Sequence, residues 1–292
     1  MAAFRPDRRA SGSVWLTFFA VAFFFVASPF PAAQDPGRFR HGLCETAAVV
    51  SPVALVVRSP PRVYRYYDLL MAAFVTVLLC SNIIGPGKSC SLTFLGLPLV
   101  FGAGNVFFPI SYIFGDVLTE VYGYAKNRRV IWAGFAALVF SALMGQVIIH
   151  LPPNPDEPFN RLLQPALETV FGSGPRIVGA SMLAFWVGDF ANSFVLAKMK
   201  IWTRGQYLFT RTIGSTVVGQ AVDSAIFYPV AFLGFWTGAT VLRVIVFNWA
   251  FKVAVEVVLT PLTYAVVGAL KKAEAEDWFD RGTNFNPFTL KA

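Results

Sequence analysis

Apolar runs of about twenty residues recur from near Arg62 onward, with the cations clustered between them. Nothing else constrains the fold as tightly. A helix needs a run of that length to cross the roughly 30 Å hydrocarbon core of a bilayer. It also satisfies its backbone polar groups internally, which lipid cannot do for it. The pattern predicts six spans, at about residues 66–84, 99–122, 130–150, 177–197, 212–235 and 241–270. An apolar stretch at 92–97 precedes the second span as a re-entrant segment or loop. Only 14% of the 292 residues are charged and 56% are hydrophobic, whereas a soluble domain carries about one quarter charged residues.

The charges sort by side. Arg62 and Arg65, Lys126 to Arg129, Lys198 to Arg211, and Lys271-Lys272 fall at alternate ends of the predicted spans. The other ends hold Lys88, Arg161, Arg176, Arg243 and an acidic, Pro-rich loop after His150. Loops rich in Lys and Arg stay in the cytoplasm. The expected fold is therefore an all-α membrane protein, a six-transmembrane-helix bundle with the N- and C-terminal ends of its core cytoplasmic. The net charge of +8 belongs to this flanking pattern and is no nucleic-acid footprint. Cys44, Cys80 and Cys90 form no C-x-x-C pair, and His41 and His150 lie far apart. No disulfide framework, metal site or cofactor is expected.

Residues 1–61 differ from the rest. Arg5, Arg8 and Arg9 precede a short apolar run at 14–27, and Pro31-Ala32-Ala33 follows. This reads as a secretory signal, as an extra membrane helix, or as an over-extended translation start. Arg58, Arg62 and Arg65 favour a cytoplasmic start for the next helix and so speak against an extra span. The chain divides into an N-terminal extension at 1–61 without a part in the site, a six-helix transmembrane core at 62–272 and a cytoplasmic tail at 273–292.

The chemistry is concentrated in acids and one lysine inside the apolar runs. An ionised side chain at the centre of a membrane helix costs about 2.5–3.5 kcal/mol on insertion scales and by default marks a site. Asp116 and Glu120 are four residues apart, on one helix face. Asp116 lies ten residues before Lys126, about 15 Å deeper, while Glu120 is close enough to the basic cluster to sit at the interface. The fifth span reads Arg211, Ser215, Gly219, Asp223, Phe227 at four-residue spacing. Ser215 and Gly219 allow close helix approach, Asp223 stands near the midplane, and Gln220 lies on a neighbouring face. The sixth span reads Asn248, Lys252, Glu256, Thr260. Lys252 is placed to pair with Glu256 on its own helix or with Asp223 across the bundle. Asp189 and Asn192 add a polar face to the fourth span. These residues serve either as structural glue or as the lining of one cavity of mostly negative character. Such a cavity suits a cation, a proton relay or a solute rich in donor groups, for example a guanine-like base whose two adjacent N–H donors meet one carboxylate. Phe114-Gly115-Asp116 echoes Val187-Gly188-Asp189, and Gly145-Gln146 echoes Gly219-Gln220, at nearly equal offsets. Parallel repeats of this kind frame midplane sites in transporters.

Phe108-Pro109, the run Gly115-Asp-Val-Leu-Thr-Glu-Val-Tyr-Gly123, Arg128-Arg129, Ser215-Thr216, Gly219-Gln220, Asp223-Ser224 with Phe227, and Phe251-Lys252-Val253 with Pro261 and Tyr264 together resemble the queuosine precursor transporter family, also called the vitamin uptake transporter family. The resemblance covers about residues 62–272. It implies import of deazaguanine precursors of a tRNA base, 7-cyano-7-deazaguanine or 7-aminomethyl-7-deazaguanine, across the bacterial inner membrane. Asp116, Glu120, Gln220, Asp223, Lys252 and Glu256 match the family's polar positions and, with Asn248, form the expected substrate-binding set. The expected partners are the deazapurine and the lipid bilayer, without nucleic acid and without an energy-coupling ATPase; a homodimer is compatible with this reading. An ion- or proton-coupled carrier of another vitamin-like solute is the alternative, with Asp223 or Asp116 taking up the proton. An intramembrane aspartyl protease using Asp116 and Asp189 is disfavoured, because neither acid stands in a G-x-G-D context, and no catalytic residues are expected.

Overall fold

The computed structural model describes residues 63–83, 89–94, 97–102, 107–172 and 175–289. The signal-like reading of residues 1–61 lies outside them. The described residues form seven helices and one short β-hairpin: α1 (Tyr67–Ile83), β1 (Ser89–Phe94), β2 (Leu97–Gly102), α2 (Phe108–Tyr122), α3 (Tyr124–His150), α4 (Asn160–Phe171), α5 (Pro175–Trp202), α6 (Leu208–Phe232) and α7 (Gly238–Glu274). Helix α3, the stretch Arg176–Trp202 of α5, and α7 are long and apolar enough to cross a membrane, and α1 is a shorter apolar helix.

Three differences from the expected spans have local causes. Residues 92–94 and 97, and the first turn of the expected second helix, are strand: β1 and β2 pair antiparallel, Ser89 opposite Gly102 and Phe94 opposite Leu97. Helix α2 therefore begins at Phe108. Pro109 lies in its first turn, where a missing N–H leaves no bond unmade. The basic cluster at 126–129 is no loop, since α3 begins at Tyr124. Gly123 alone separates α2 from α3, at φ +86° and ψ 167°, a conformation that disfavours a side chain. Helix α4 was not anticipated because Pro165 and its charges interrupt any apolar run. None of its residues is buried. It is tied to the end of α3 by Gln164 donating to the Ile149 carbonyl at 2.9 Å and by Gln146 donating to that of Phe171 at 2.7 Å.

The core lies towards the basic ends of the helices. Phe74 and Leu78 of α1, Val117, Leu118, Val121 and Tyr122 of α2, Val130 and Leu138 of α3, Leu208 of α6, and Val267 and Leu270 of α7 form one buried cluster. Helices α5 and α6 are joined by a tight turn with left-handed residues at Arg204, Gly205 and Tyr207. They pack backbone to backbone at two glycines. A Cβ on Gly219 would stand 2.8 Å from Asn192 Cβ and 3.1 Å from the Gly188 carbonyl oxygen. One on Gly188 would stand 3.0 Å from Asp223 Cβ. The close approach expected at Gly219 is thus made with α5, and it sets Asp223 beside the polar face of that helix.

The chain after α7 does not trail away. Trp278 donates its backbone N–H to the Val121 carbonyl at 3.3 Å, and its ring fills the space beside Gly123. Asp280 accepts the Tyr124 N–H at 3.1 Å, capping a helix whose own N-terminus has no side-chain cap. Arg128 donates to the carbonyls of Asn284 and Asn286, both at 2.7 Å, and the Trp132 indole donates to that of Pro287 at 2.8 Å. Residues 275–289 thus strap the joint between α2 and α3.

Candidate functional site

Helix α2 carries both of its acids in fully buried positions, and they meet opposite environments. Glu120 sits at the basic end. Arg211 of α6 grips it bidentately, Nε to Oε2 and Nη2 to Oε1, each at 2.8 Å. Lys271 of α7 donates to Oε1 at 2.5 Å, and Lys200 of α5 lies 3.4 Å from the same oxygen. Lys200 also donates to the Glu120 backbone carbonyl at 2.6 Å and to Asp277 at 2.6 Å. Lys271 reaches Asp277 at 2.8 Å. The Glu120 carboxylate is therefore held by the protein's own cations. Arg211 entered the sequence pattern only as the first residue of the stripe on α6, and nothing in its spacing announced Glu120 as its partner.

Among the described residues, the Asp116 side chain, one turn earlier, has a single hydrogen bond: Asn192 of α5 donates to its Oδ1 at 3.0 Å, and its Oδ2 has no partner. Around it lie other buried acceptors in the same state: both carboxylate oxygens of Glu256 on α7, Oε1 of Gln220 on α6 and Oδ1 of Asn192. Glu256, Glu120 and Asp189 act electrostatically on Asp116. Asp223, Asp189 and Glu256 act on Tyr112, one turn before Asp116, and the Gln220 side chain lies near the Tyr112 hydroxyl. Asp116, Gln220 and Glu256 thus converge on one region between α2, α5, α6 and α7. Tyr112 was not singled out by sequence, because a tyrosine in an aromatic run carries no distinguishing signal.

Asp223 and Lys252 complete the set. Lys252 Nζ donates to Asp223 Oδ2 at 2.8 Å, the cross-bundle pairing rather than the one within α7. Asp223 keeps 19% of its side chain exposed and Lys252 9%. Asp189, half-buried on α5, lies within electrostatic reach of both. Asn248 is not drawn in by a hydrogen bond to this group; its amide donates to the Val244 carbonyl of its own helix at 3.1 Å. The next residue does bind across the bundle, the Trp249 indole donating to the Val217 carbonyl at 2.9 Å.

The sequence matches the family described as "Putative vitamin uptake transporter" over residues 102–266, a span that contains every acid and amide of the site and ends before the strap. A protein of Bacillus subtilis (strain 168) named "Probable queuosine precursor transporter" is 34% identical over 164 residues, covering 56% of this chain and 69% of that protein. No solved structure matches the chain. With buried, mutually facing polar groups set in long apolar helices and with the family matched across the whole site, this chain belongs to the vitamin uptake transporter family and is a multi-pass membrane transporter.

Proposed function

We propose that the chain imports a deazapurine precursor of queuosine, 7-cyano-7-deazaguanine or 7-aminomethyl-7-deazaguanine, across the bacterial inner membrane. In this reading the core spans six times with both ends cytoplasmic, as the alternation of basic clusters suggests. The observation that carries the proposal is the Lys252–Asp223 pair, an ion pair at 2.8 Å on two different helices, partly exposed at Asp223. A guanine-like edge presents two adjacent N–H donors beside a carbonyl oxygen. Asp223 accepts the donors, Lys252 donates to the carbonyl, and the solute takes the place of the direct ion pair without leaving either charge unmatched. Gln220, three residues before Asp223 on α6, offers its unpartnered Oε1 to a further N–H. The name of the Bacillus relative supports this substrate class.

Glu120 is a structural anchor in this proposal, not a substrate ligand, because its oxygens are already taken by Arg211 and Lys271. Asn248 is likewise left out, since its amide is bound within α7.

The test is uptake of labelled 7-cyano-7-deazaguanine by cells that cannot make their own precursor, followed by the queuosine content of their tRNA. Expression of the wild-type chain restores queuosine. Asp223→Asn and Lys252→Met each lower uptake more than about tenfold, the loss expected when a buried charge loses its partner. Absence of tRNA queuosine with the wild-type chain would refute the substrate.

A further inference from the structure

Asp116 and Glu256 are acids that the solute contacts proposed above leave unused. Asp116 is 0% exposed and Glu256 1%. Helix α2 packs against α7, and among charged groups Glu256 acts most strongly on Asp116. Among the described residues, one oxygen of Asp116 and both of Glu256 have no hydrogen-bond partner. Their surroundings add acceptors: Oδ1 of Asn192, whose amide donates to Asp116, and Oε1 of Gln220, whose side chain lies near Tyr112.

The cations nearby are committed elsewhere. Lys252, one turn before Glu256, donates to Asp223. Arg211, Lys200 and Lys271 converge on Glu120. Each helix packed around the pair presents its own groups: Tyr112 and Glu120 on α2, Asp189 and Asn192 on α5, Gln220 and Asp223 on α6, and Lys252 on α7. On α3, Asn127 gives its amide to Thr119 and Ser193. A buried carboxylate with an unpartnered oxygen and no cation paired to it is penalised by several kcal/mol, and a second buried acid within electrostatic reach adds to the cost. Zero exposure also means that no water-sized sphere touches Asp116, so neither a nucleobase nor a hydrated ion meets it here. A proton needs no room.

We infer that Asp116 and Glu256 together bind one coupling proton, which crosses the membrane with the solute. The inference rests on the transport reading above and adds its driving force. An O–H bond forms on one of the two carboxyl groups at the expense of a hydronium ion on the outer side. The same bond breaks to water on the inner side, and no electrons change hands.

The test uses the full chain in proteoliposomes, with the membrane potential clamped at zero and labelled 7-cyano-7-deazaguanine as the probe. At one proton per solute, a one-unit pH gradient, acid outside, sustains about tenfold accumulation, since a tenfold ratio corresponds to about 1.4 kcal/mol. Asp116→Asn and Glu256→Gln abolish that accumulation, while labelled solute still exchanges across the membrane. Accumulation that ignores the pH gradient, that follows a sodium gradient instead, or that persists in the double variant would overturn the inference. A second measurement does not depend on transport: the infrared band of a protonated carboxyl group, present in the wild-type protein at neutral pH and lost in the double variant. Should the wild type neither exchange nor accumulate the probe, the substrate proposal fails and the infrared band decides the proton site by itself, its absence overturning it.

Discussion

Asp116 and Glu120 stand one turn apart on α2, both without solvent exposure, and the protein treats them in opposite ways. Around Glu120 every charge has a counter-charge: Arg211, Lys200 and Lys271 face it, and Asp277 closes the network from the strap. Around Asp116 the acceptors outnumber the donors, and Glu256, Gln220 and Asn192 share that condition. Burial of an acid therefore does not by itself distinguish scaffold from site. The difference lies in hydrogen-bonding capacity left unused. A satisfied network fixes one arrangement of helices, whereas an unsatisfied one is held open by the rest of the fold and gains when something binds.

The sharpest way to break this contrast is to remove Glu120. Glu120→Ala strands Arg211 and Lys200 as buried cations, and breaking such a network from one side costs about 3–5 kcal/mol. In detergent the variant should unfold at markedly lower temperature or fail to accumulate in the membrane. Asp116→Asn keeps the shape and the contact with Asn192 and removes only a carboxylate with an unpartnered oxygen, so its stability should stay within about 1 kcal/mol of the wild type. If Asp116→Asn proved the more damaging of the two in thermal unfolding, the assignment of scaffold and site would be reversed.

The sequence carried part of this contrast and not the rest. Four-residue spacing on α6 and α7 placed Gly219, Asp223, Lys252 and Glu256 on inward faces, and the cross-bundle pair of Lys252 with Asp223 was one of the two pairings that this spacing left open. The same spacing is silent on which of two acids on one helix is satisfied. Glu120 is answered by Arg211 and Lys271, remote in the chain, and contacts between elements leave no periodic trace in either one. The strap was illegible for a related reason. Residues 275–289 have no apolar periodicity, and they bind mostly through backbone groups, as at Trp278, Asn284, Asn286 and Pro287. The strand pair 89–94 and 97–102 was hidden by its apolar composition, which suits a strand and a membrane helix alike.

The strap extends the satisfied region beyond the matched family span, and Arg128 tests how much it contributes. Arg128 is 1% exposed and donates to two strap carbonyls. Hydrogen bonds from a charged donor contribute about 1.5–3 kcal/mol when lost from a buried site. Arg128→Ala should therefore free residues 284–289 for proteolysis and lower the unfolding temperature by less than Glu120→Ala does. Undiminished protection of the strap would remove it from the satisfied region.

Gly219→Ala probes the boundary between the two regions. The added methyl meets Asn192 Cβ at 2.8 Å and the Gly188 carbonyl at 3.1 Å, both on a packed helix that has to shift. Overpacking of this kind costs about 1–3 kcal/mol. Because Asn192 is the hydrogen-bond donor to Asp116, the shift should reduce transport more than stability. Gly214→Ala, on the same helix, meets only the flexible end of Met199 and should leave transport near wild type. Equal effects of the two substitutions on uptake would detach the α5–α6 contact from the site.

The smallest effect is expected at Asp277, the one acid of the satisfied network that lies outside the helices. Partial burial pushes its carboxyl up, but hydrogen bonds from Lys200 and Lys271 outweigh this and hold it below the ordinary carboxylate range. The unfolded chain has no such partners, so it takes up a proton at Asp277 at higher pH than the folded chain does. The stabilisation is therefore fully present above the unfolded value, about pH 4, and is lost as pH falls through the folded one. With 48% of its side chain exposed, water and salt screen the pair, and the contribution is that of a surface ion pair. Denaturation midpoints between neutral pH and about pH 3 should decline less steeply for Asp277→Asn than for the wild type, and added salt should shrink the difference. A cost at neutral pH as large as that of Glu120→Ala would place the strength of the network in its exposed acid, and burial with full pairing would then no longer explain why the basic end is the rigid one.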